Sequence, residues 1–442
     1  MDIDFSRSKS RILYLLFASL VLCFSGCLES FVLTIAPSIL AAKKCFYPHP
    51  IFRNISQSKE IESYLFFLET SYVVASQILI RLPGNILAGY FVSKLGSEYI
   101  IMFGLMIYGA SLVMYVFSNN CVNILISRAA EGISESLTVT SAYSFLTSVF
   151  TKNTNKSYTI AFANFFYYIG ISFGSMLGGR FYSIYGHDFA FIVLISIHLF
   201  LCGLSLVSLF CWKRQIEKFR ILNNIPFIGS HAMRESNFFE IGVVFFNPYI
   251  IIICIGVAIC VGSISILLAV LPLWTGTYFH LTRENQGMFW ILGGLIYGIS
   301  ELLSALMQKY WNTASHLCPL VGVGLISFGL LTITFHFRVI LLCLNIAILF
   351  FGIGFIDYFL FPLMSIICGL IVNRKSNSIA AAMLTTSQSI GNLLGALVGG
   401  FLSQIFGFKV TCIIFGSLIG IYAPFTIILS NYFTNDYENM GK

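Results

Sequence analysis

The chain has 442 residues, 57% of them hydrophobic, 16% aromatic and only 10% charged, with a mean hydropathy of +0.88. Soluble domains carry about 25% charged residues, so there is too little ionic surface here to keep two or three such domains in water, and the same composition excludes a disordered chain or a disulfide scaffold. What remains is a protein that crosses the bilayer many times.

A crossing helix takes roughly 20 apolar residues. In chain order the runs that meet this are 12–40, 64–92, 98–118, 122–150, 157–181, 188–212, 248–279, 286–310, 316–336, 338–371, 377–404 and 408–432. The first is too long for the apolar core of a cleavable leader and has no matching cleavage site, so it reads as a retained first span. The pattern predicts an all-α membrane protein with twelve transmembrane helices. Many of the 36 glycines lie inside these runs, which suits close helix approach in lipid.

The net charge of +7 does not mark a nucleic-acid binder, because the basic residues sit in short clusters between apolar runs, where they act as topology signals. With the N-terminus in the cytoplasm, fifteen of the 25 Lys and Arg fall on the cytoplasmic side and eight on the other, while Arg81 and Arg128 lie within spans. That bias predicts that both termini are cytoplasmic. Asn54-Ile55-Ser56, in the longest outward loop, is a candidate glycosylation acceptor; Asn155-Lys156-Ser157 faces the other way and is not. Cys45 and Cys121 share the outer side and are candidates for a bridge. Most of the twelve cysteines are scattered inside apolar spans with no CxxC pair, and they read as small buried hydrophobes rather than metal ligands.

The fifth span carries Gly170, Gly174, Gly178-Gly179 and then Gly186; the eleventh carries Gly391, Gly395, Gly399-Gly400 and then Gly407. The whole pattern recurs at a constant offset of 221 residues, half the chain. Glycine at every fourth position lays a groove along one helix face for another helix. Two copies at the same place in two sets of six spans predict two six-helix halves related as parallel repeats, the arrangement of the major facilitator fold. The boundaries that follow are 1–212 for the first half, 213–247 for a cytoplasmic linker carrying five basic residues, and 248–442 for the second half with a short cytoplasmic tail. No GxxxxGK[ST] loop is present, so the energy for any pumping comes from an ion gradient or the substrate's own gradient. No His-rich or Ser/His/Asp cluster suggests an enzyme, and no cofactor is expected.

Six acids fall inside spans: Glu29, Glu69, Glu131, Glu135, Glu301 and Asp357. A charge at mid-bilayer costs a few kcal/mol on insertion scales and normally faces a partner or a cavity. Arg128, Glu131 and Glu135 lie at i, i+3 and i+7 on one stripe of the fourth span. Two readings stand for them: an intrahelical ion pair that neutralises itself, or a site in which the second carboxylate carries a proton unless Arg81 reaches it. Glu29 and Asp357 have no basic neighbour in sequence and are the candidates for a cation or proton site. Glu301 has Gln308 as an alternative partner, and Glu69 has the outer interface. Aromatic clusters such as Phe165-Phe166-Tyr167-Tyr168 and Tyr358-Phe359 flank these positions and suit an organic cation.

Several motifs resemble those of the major facilitator superfamily. Arg128-Ala129-Ala130-Glu131-Gly132 resembles the RxxxG motif of the fourth span in its antiporters. Gly170 to Gly179 resembles their fifth-span glycine motif, with Ser175 where proline is common. Gly89-Tyr90-Phe91-Val92-Ser93-Lys94-Leu95-Gly96 resembles the loop motif after span two, with Ser93 in place of an acid. From about residue 12 to 430 the chain is similar to the vesicular amine transporter family, including its polyamine branch. Gly354-Phe355-Ile356-Asp357 followed by Pro362-Leu363-Met364 resembles that family's tenth-span GxxDxxxxPxM, and Leu271-Pro272-Leu273-Trp274 its seventh-span LPxW. By that likeness Asp357 matches the acid that serves proton and amine, and Arg128 the fourth-span arginine. The family's lysine–aspartate pair falls on Gln77 and Thr385, and its seventh-span glutamate on Leu268, which makes this a divergent member.

The resemblance implies a secondary transporter of a small organic cation, an amine or polyamine, working by alternating access in exchange for protons. Spans one, four, seven and ten are expected to build the site, with Glu29, Arg128, Glu131, Glu135, Glu301 and Asp357 as the candidate substrate and proton residues. Gly170, Gly174, Gly178, Gly391, Gly395 and Gly399 are the candidate packing positions. The expected partners are a small-molecule substrate, protons and the bilayer; a monomer in a vesicle or plasma membrane is the expected form. A facilitator or symporter of a neutral or anionic solute, or a carrier-fold receptor that transports nothing, are the alternatives.

Overall fold

A computed structural model of the chain describes residues 8–43, 59–118, 120–150, 153–222, 238–281, 283–310, 318–335, 338–371 and 377–440. Among them the regular structure is entirely helical. The first four helices are α1 (Ser8–Lys43), α2 (Lys59–Leu95), α3 (Ser97–Val116) and α4 (Cys121–Val149). The long helical run Asn153–Leu222 is broken at Gly186, whose φ of 80° is open to glycine but strained for other residues. The break divides it into α5 (153–185) and α6 (187–222). The second set begins with α7 (Pro248–Tyr278), α8 (Arg283–Tyr310), α9 (Cys318–Thr332) and α10 (Val339–Ile371). The run Asn377–Met440 is broken at Gly407, with a φ of 82°, into α11 (377–406) and α12 (408–440).

The sequence-predicted spans and the helices coincide, and the chemistry of each helix shows why some spans are less obvious. Eight helical stretches are long and apolar enough to cross a membrane, and one of these, Ser378–Ile427, contains the Gly407 break and so supplies two crossings. Pro319–Thr332 in α9 is shorter and is continued by a 3-10 turn, Ile333–Phe335. The remaining two, α2 and α4, fall below that apolarity because they hold Arg81, Arg128, Glu131 and Glu135. The charged helices are thus the ones whose polar faces the bundle must cover. Residues 213–222 of the expected linker continue α6, a short helix, Phe238–Phe245, lies near its end, and the stretch between is outside the described residues. Asn54 and Cys45 also lie outside the described residues.

The glycine repeat sets the packing. A side-chain carbon on Gly170 or Gly174 would run into the backbone carbonyls of Cys23 and Cys27, and one on Gly178 would stand 2.9 Å from that of Phe31, so α5 lies directly on α1. In the second half Gly391 and Gly395 abut the carbonyls of Ala258 and Gly262, and Gly399 faces Ile266, so α11 lies on α7 in the same way. Dispersion over such close backbones replaces the hydrophobic driving force that lipid lacks. One apolar core runs through both halves, including Leu22, Phe145 and Phe191 in the first and Leu267, Leu349 and Phe350 in the second. The outer surface carries large apolar side chains such as Phe103, Met106, Phe200 and Ile421, which lipid covers in a membrane.

The halves α1–α6 and α7–α12 meet along two pairs of helices. Gly89 of α2 packs against Ala382 of α11, and Gly294 and Gly298 of α8 pack against Tyr168, Ser172 and Phe165 of α5. Among the described residues five hydrogen bonds cross between the halves: Asn85 Nδ2 donates to Ser389 Oγ at 2.9 Å, the hydroxyls of Thr140 and Thr385 are 2.9 Å apart, Ser172 donates to the Trp290 carbonyl at 2.7 Å, Tyr158 donates to the Ala305 carbonyl at 2.9 Å, and Asn164 Nδ2 donates to Glu301 Oε1 at 2.9 Å.

Candidate functional site

The hydroxyl-rich face of α4 shows how polar residues sit at hydrocarbon depth. Ser136, Thr138 and Thr147 each donate to a carbonyl three or four residues back, and Ser134 donates to the Gly104 carbonyl of α3 at 2.9 Å. These hydroxyls satisfy themselves. The carboxylates on the same helix cannot donate when ionised, and they take partners from elsewhere.

Two glycine contacts bring α2 against α4: Gly132 abuts the Gln77 carbonyl, and Gly84 abuts the Ser136 hydroxyl. At that register Arg81, 2% exposed, places Nη1 2.6 Å from Glu135 Oε1, while Gln77 Nε2 donates to Glu135 Oε2 at 2.6 Å. Arg81 Nη1 also lies 3.9 Å from Glu29 Oε1, and the Tyr167 hydroxyl donates to Glu29 Oε2 at 2.6 Å. Arg128 forms the intrahelical pair with Glu131 at 2.9 Å, and the Tyr115 hydroxyl caps the same oxygen at 2.7 Å. Of the two readings of the α4 stripe, the self-neutralising pair holds for Arg128 and Glu131. Glu135 is not a carboxylate left over, because α2 carries a guanidinium to it. Glu29 is likewise not alone; its cation comes from the neighbouring helix and was invisible along its own.

A second polar cluster joins the halves. Tyr143 of α4 donates to Asn164 Oδ1 at 2.7 Å, Asn164 Nδ2 of α5 donates to Glu301 Oε1 at 2.9 Å, and the Tyr297 hydroxyl of α8 lies 2.9 Å from Glu301 Oε1 and 3.0 Å from Asp357 Oδ2 of α10. Glu301 therefore finds Asn164 and Tyr297; the side chain of Gln308 is outside the described residues, as is that of Glu69. Among the described residues neither Glu301 nor Asp357 has a cationic partner.

Between the halves lies a narrow cleft whose polar lining is Glu29, Ser30, Arg81, Gln388 and Asn392, faced by the rings of Tyr167 and Tyr168. Its walls come from α1, α2, α5, α7 and α11. Of the four helices expected to build the site, α1 and α7 line this cleft, whereas the acids of α4 and α10 lie outside its lining. Glu135 sits behind Arg81. Asp357 sits behind Tyr297, whose ring lies 3.7 Å from that of Tyr168. Of the six candidates the fold gathers Glu29 and Glu135 around Arg81, and Glu301 and Asp357 around Tyr297. Arg128 and Glu131 line no part of the cleft. Sequence reasoning named Arg81 only as a partner and missed Tyr297 and Asn164; the one signal for Arg81 was an arginine inside an apolar span, and the other two carried none. Among the described residues no group of His, Cys, Asp and Glu is arranged to hold a metal.

The chain matches the model of the Major Facilitator Superfamily over residues 18–356, and it belongs to that family. It is a multi-pass membrane carrier by fold rather than an enzyme. It is 24% identical over 360 residues to the rat chromaffin granule amine transporter, covering 81% of this chain and 65% of that protein. It is 22% identical to the rat vesicular acetylcholine transporter over 361 residues, again 81% and 65%, and 22% identical to the human synaptic vesicular amine transporter over 366 residues, 82% and 66%. The match thus spans about two thirds of the length of these relatives. The crystal structure of a bacterial homologue of the human lysosomal transporter Spinster, inward-facing and unoccupied, shares the fold with a TM-score of 0.66 at 12% identity, covering 97% of this chain and 99% of that one.

Proposed function

We propose that this protein is a secondary transporter that moves a small organic cation, an amine or polyamine, across a membrane by alternating access in exchange for protons. The observation that carries the reading is Glu29: a carboxylate on the wall of a cleft between the halves, held by a phenol and standing 3.9 Å from a guanidinium already engaged at 2.6 Å by Glu135. Two acids, Glu29 on the wall and Glu135 behind it, stand against one arginine here, and the tyrosine rings beside them suit a quaternary or protonated amine. The relatives named for amines and acetylcholine support the same class of cargo. The halves are assigned as 1–212 and 248–442 with a cytoplasmic linker at 213–247, both termini cytoplasmic, and the protein in a vesicle membrane.

A second reading draws on Arg81, which also lines the cleft and would suit an anionic solute. Its close pair with Glu135 disfavours it, since an anion would have to compete with that carboxylate for the guanidinium.

The test is uptake into proteoliposomes of labelled monoamines, polyamines and organic anions, with and without an acid interior. An amine should accumulate only when the interior is acid, and Glu29→Gln should abolish accumulation while the protein still inserts and elutes as the wild type does. Accumulation of an anion alone, or amine uptake indifferent to the gradient, would sink the reading.

A further inference from the structure

Glu301 and Asp357 reach the same phenol from different helices. Tyr297 has a single hydroxyl hydrogen, yet its oxygen lies 2.9 Å from one carboxyl and 3.0 Å from the other. It donates at one contact and must accept at the second, and a carboxyl donates only when it carries a proton. Among the described residues the one further donor to the pair is Asn164 Nδ2, because Asn164 Oδ1 is taken by Tyr143. Independently of that chain, Glu301 Oε2 is buried with no hydrogen-bond partner, and Glu301 is 0% exposed. A bare buried oxygen costs far more on an anion than on a neutral acid. Two ionised carboxyls here would also repel one another at low dielectric with no cation beside them. Among the described residues the titratable groups that face the pair from the packed helices are Tyr143 on α4, Tyr168 on α5 and Cys260 on α7, and none of these is cationic. Arg81, whose field reaches Tyr143, is bound to Glu135.

We propose that Glu301, Tyr297 and Asp357 form one proton-holding site, in which a single proton is kept between two acids through the phenol, so that Glu301 is required for it as fully as Asp357. In the carrier reading, on which this last step rests, a cation arriving at the pair is met by the second negative charge as the carboxyl O–H bond breaks and its proton passes to water. The shared proton itself does not depend on that reading.

The experiment is infrared spectroscopy of the purified full chain at neutral pH, following the carbonyl stretch of a protonated carboxylic acid. The wild type should show such a band, and both Glu301→Gln and Asp357→Asn should move or abolish it, because each removes one end of the chain of hydrogen bonds through the phenol. Glu29→Gln should leave it in place. A band left unchanged by either of the first two variants shows that the altered acid takes no part and overturns the proposal, as does a wild type with no band. If either variant fails to fold, Tyr297→Phe decides: the band should shift to the position of an acid without a hydrogen bond, and an unmoved band overturns the shared arrangement. Transport of no amine by a protein with the expected bands would remove the carrier reading and leave the proton site standing.

Discussion

A guanidinium buried between two carboxylates is costly to assemble and more costly to break. Arg81, Glu135 and Glu29 are all at or below 9% exposure, and the tight member of the set is the 2.6 Å contact between Arg81 and Glu135. Removing one partner leaves an uncompensated charge in a low-dielectric interior, whereas removing both together is close to neutral. Arg81→Gln should therefore lower stability by about 3–5 kcal/mol, and the double variant Arg81→Gln with Glu135→Gln should recover most of it, read as thermal unfolding in detergent. The same substitution at Arg128 isolates Glu131, which keeps only the Tyr115 hydroxyl, so Arg128→Gln should destabilise without changing the cleft. A double variant no better than Arg81→Gln alone would mean that the arginine is held by something other than Glu135.

Along whole helices, energy resides in how closely backbones approach. Gly170 and Gly391 are the equivalent positions of the repeat, and in each a methyl group would meet a carbonyl of the facing helix, that of Cys23 or of Ala258. Gly170→Ala and Gly391→Ala should each lower stability by about 1–3 kcal/mol, whereas Gly203→Ala, with nothing near its missing side chain, should not. Size-exclusion profiles and melting temperatures of the three variants are the check; equal melting of all three would show that α5 and α11 are not seated as described. This repeat was legible in the sequence because four-residue glycine spacing is a property of one helix, and its recurrence at a fixed offset needs no knowledge of the fold. The twelve crossings were legible for the same reason. The pairings were not. Whether Glu135 is free depends on the register of α2 against α4, set by Gly84 and Gly132, and Arg81 lies far from Glu135 along the chain. Asn164 and Tyr297 were beyond reach altogether, since an amide and a phenol in amphipathic surroundings look like any other packing residues until α5, α8 and α10 are placed together.

At the scale of the molecule one of the two seams between the halves lies beyond the cleft, toward the end of α2 and the start of α11. Asn85 follows Arg81 by one helical turn and bonds Ser389, next to the cleft residue Gln388; a turn further on, Gly89 meets Ala382. Thr140 and Thr385 close the same seam from α4, their hydroxyls 2.9 Å apart. A carrier that exposes its site alternately to two faces has to part this seam in every cycle. Threonine and cysteine are close in size, and a disulfide needs sulfurs about 2 Å apart, a small adjustment from the present spacing. Cysteines at both positions, Thr140→Cys with Thr385→Cys, should therefore cross-link under oxidant in native membranes. Uptake of an amine that the reduced variant carries should then fall to background and return with reductant, while the wild type, with its own cysteines under the same oxidant, keeps its activity. Undiminished uptake in the fully cross-linked protein would show that the halves do not separate here, and the opening would have to be sought along α5 and α8, where Tyr158 and Ser172 hold the other contact.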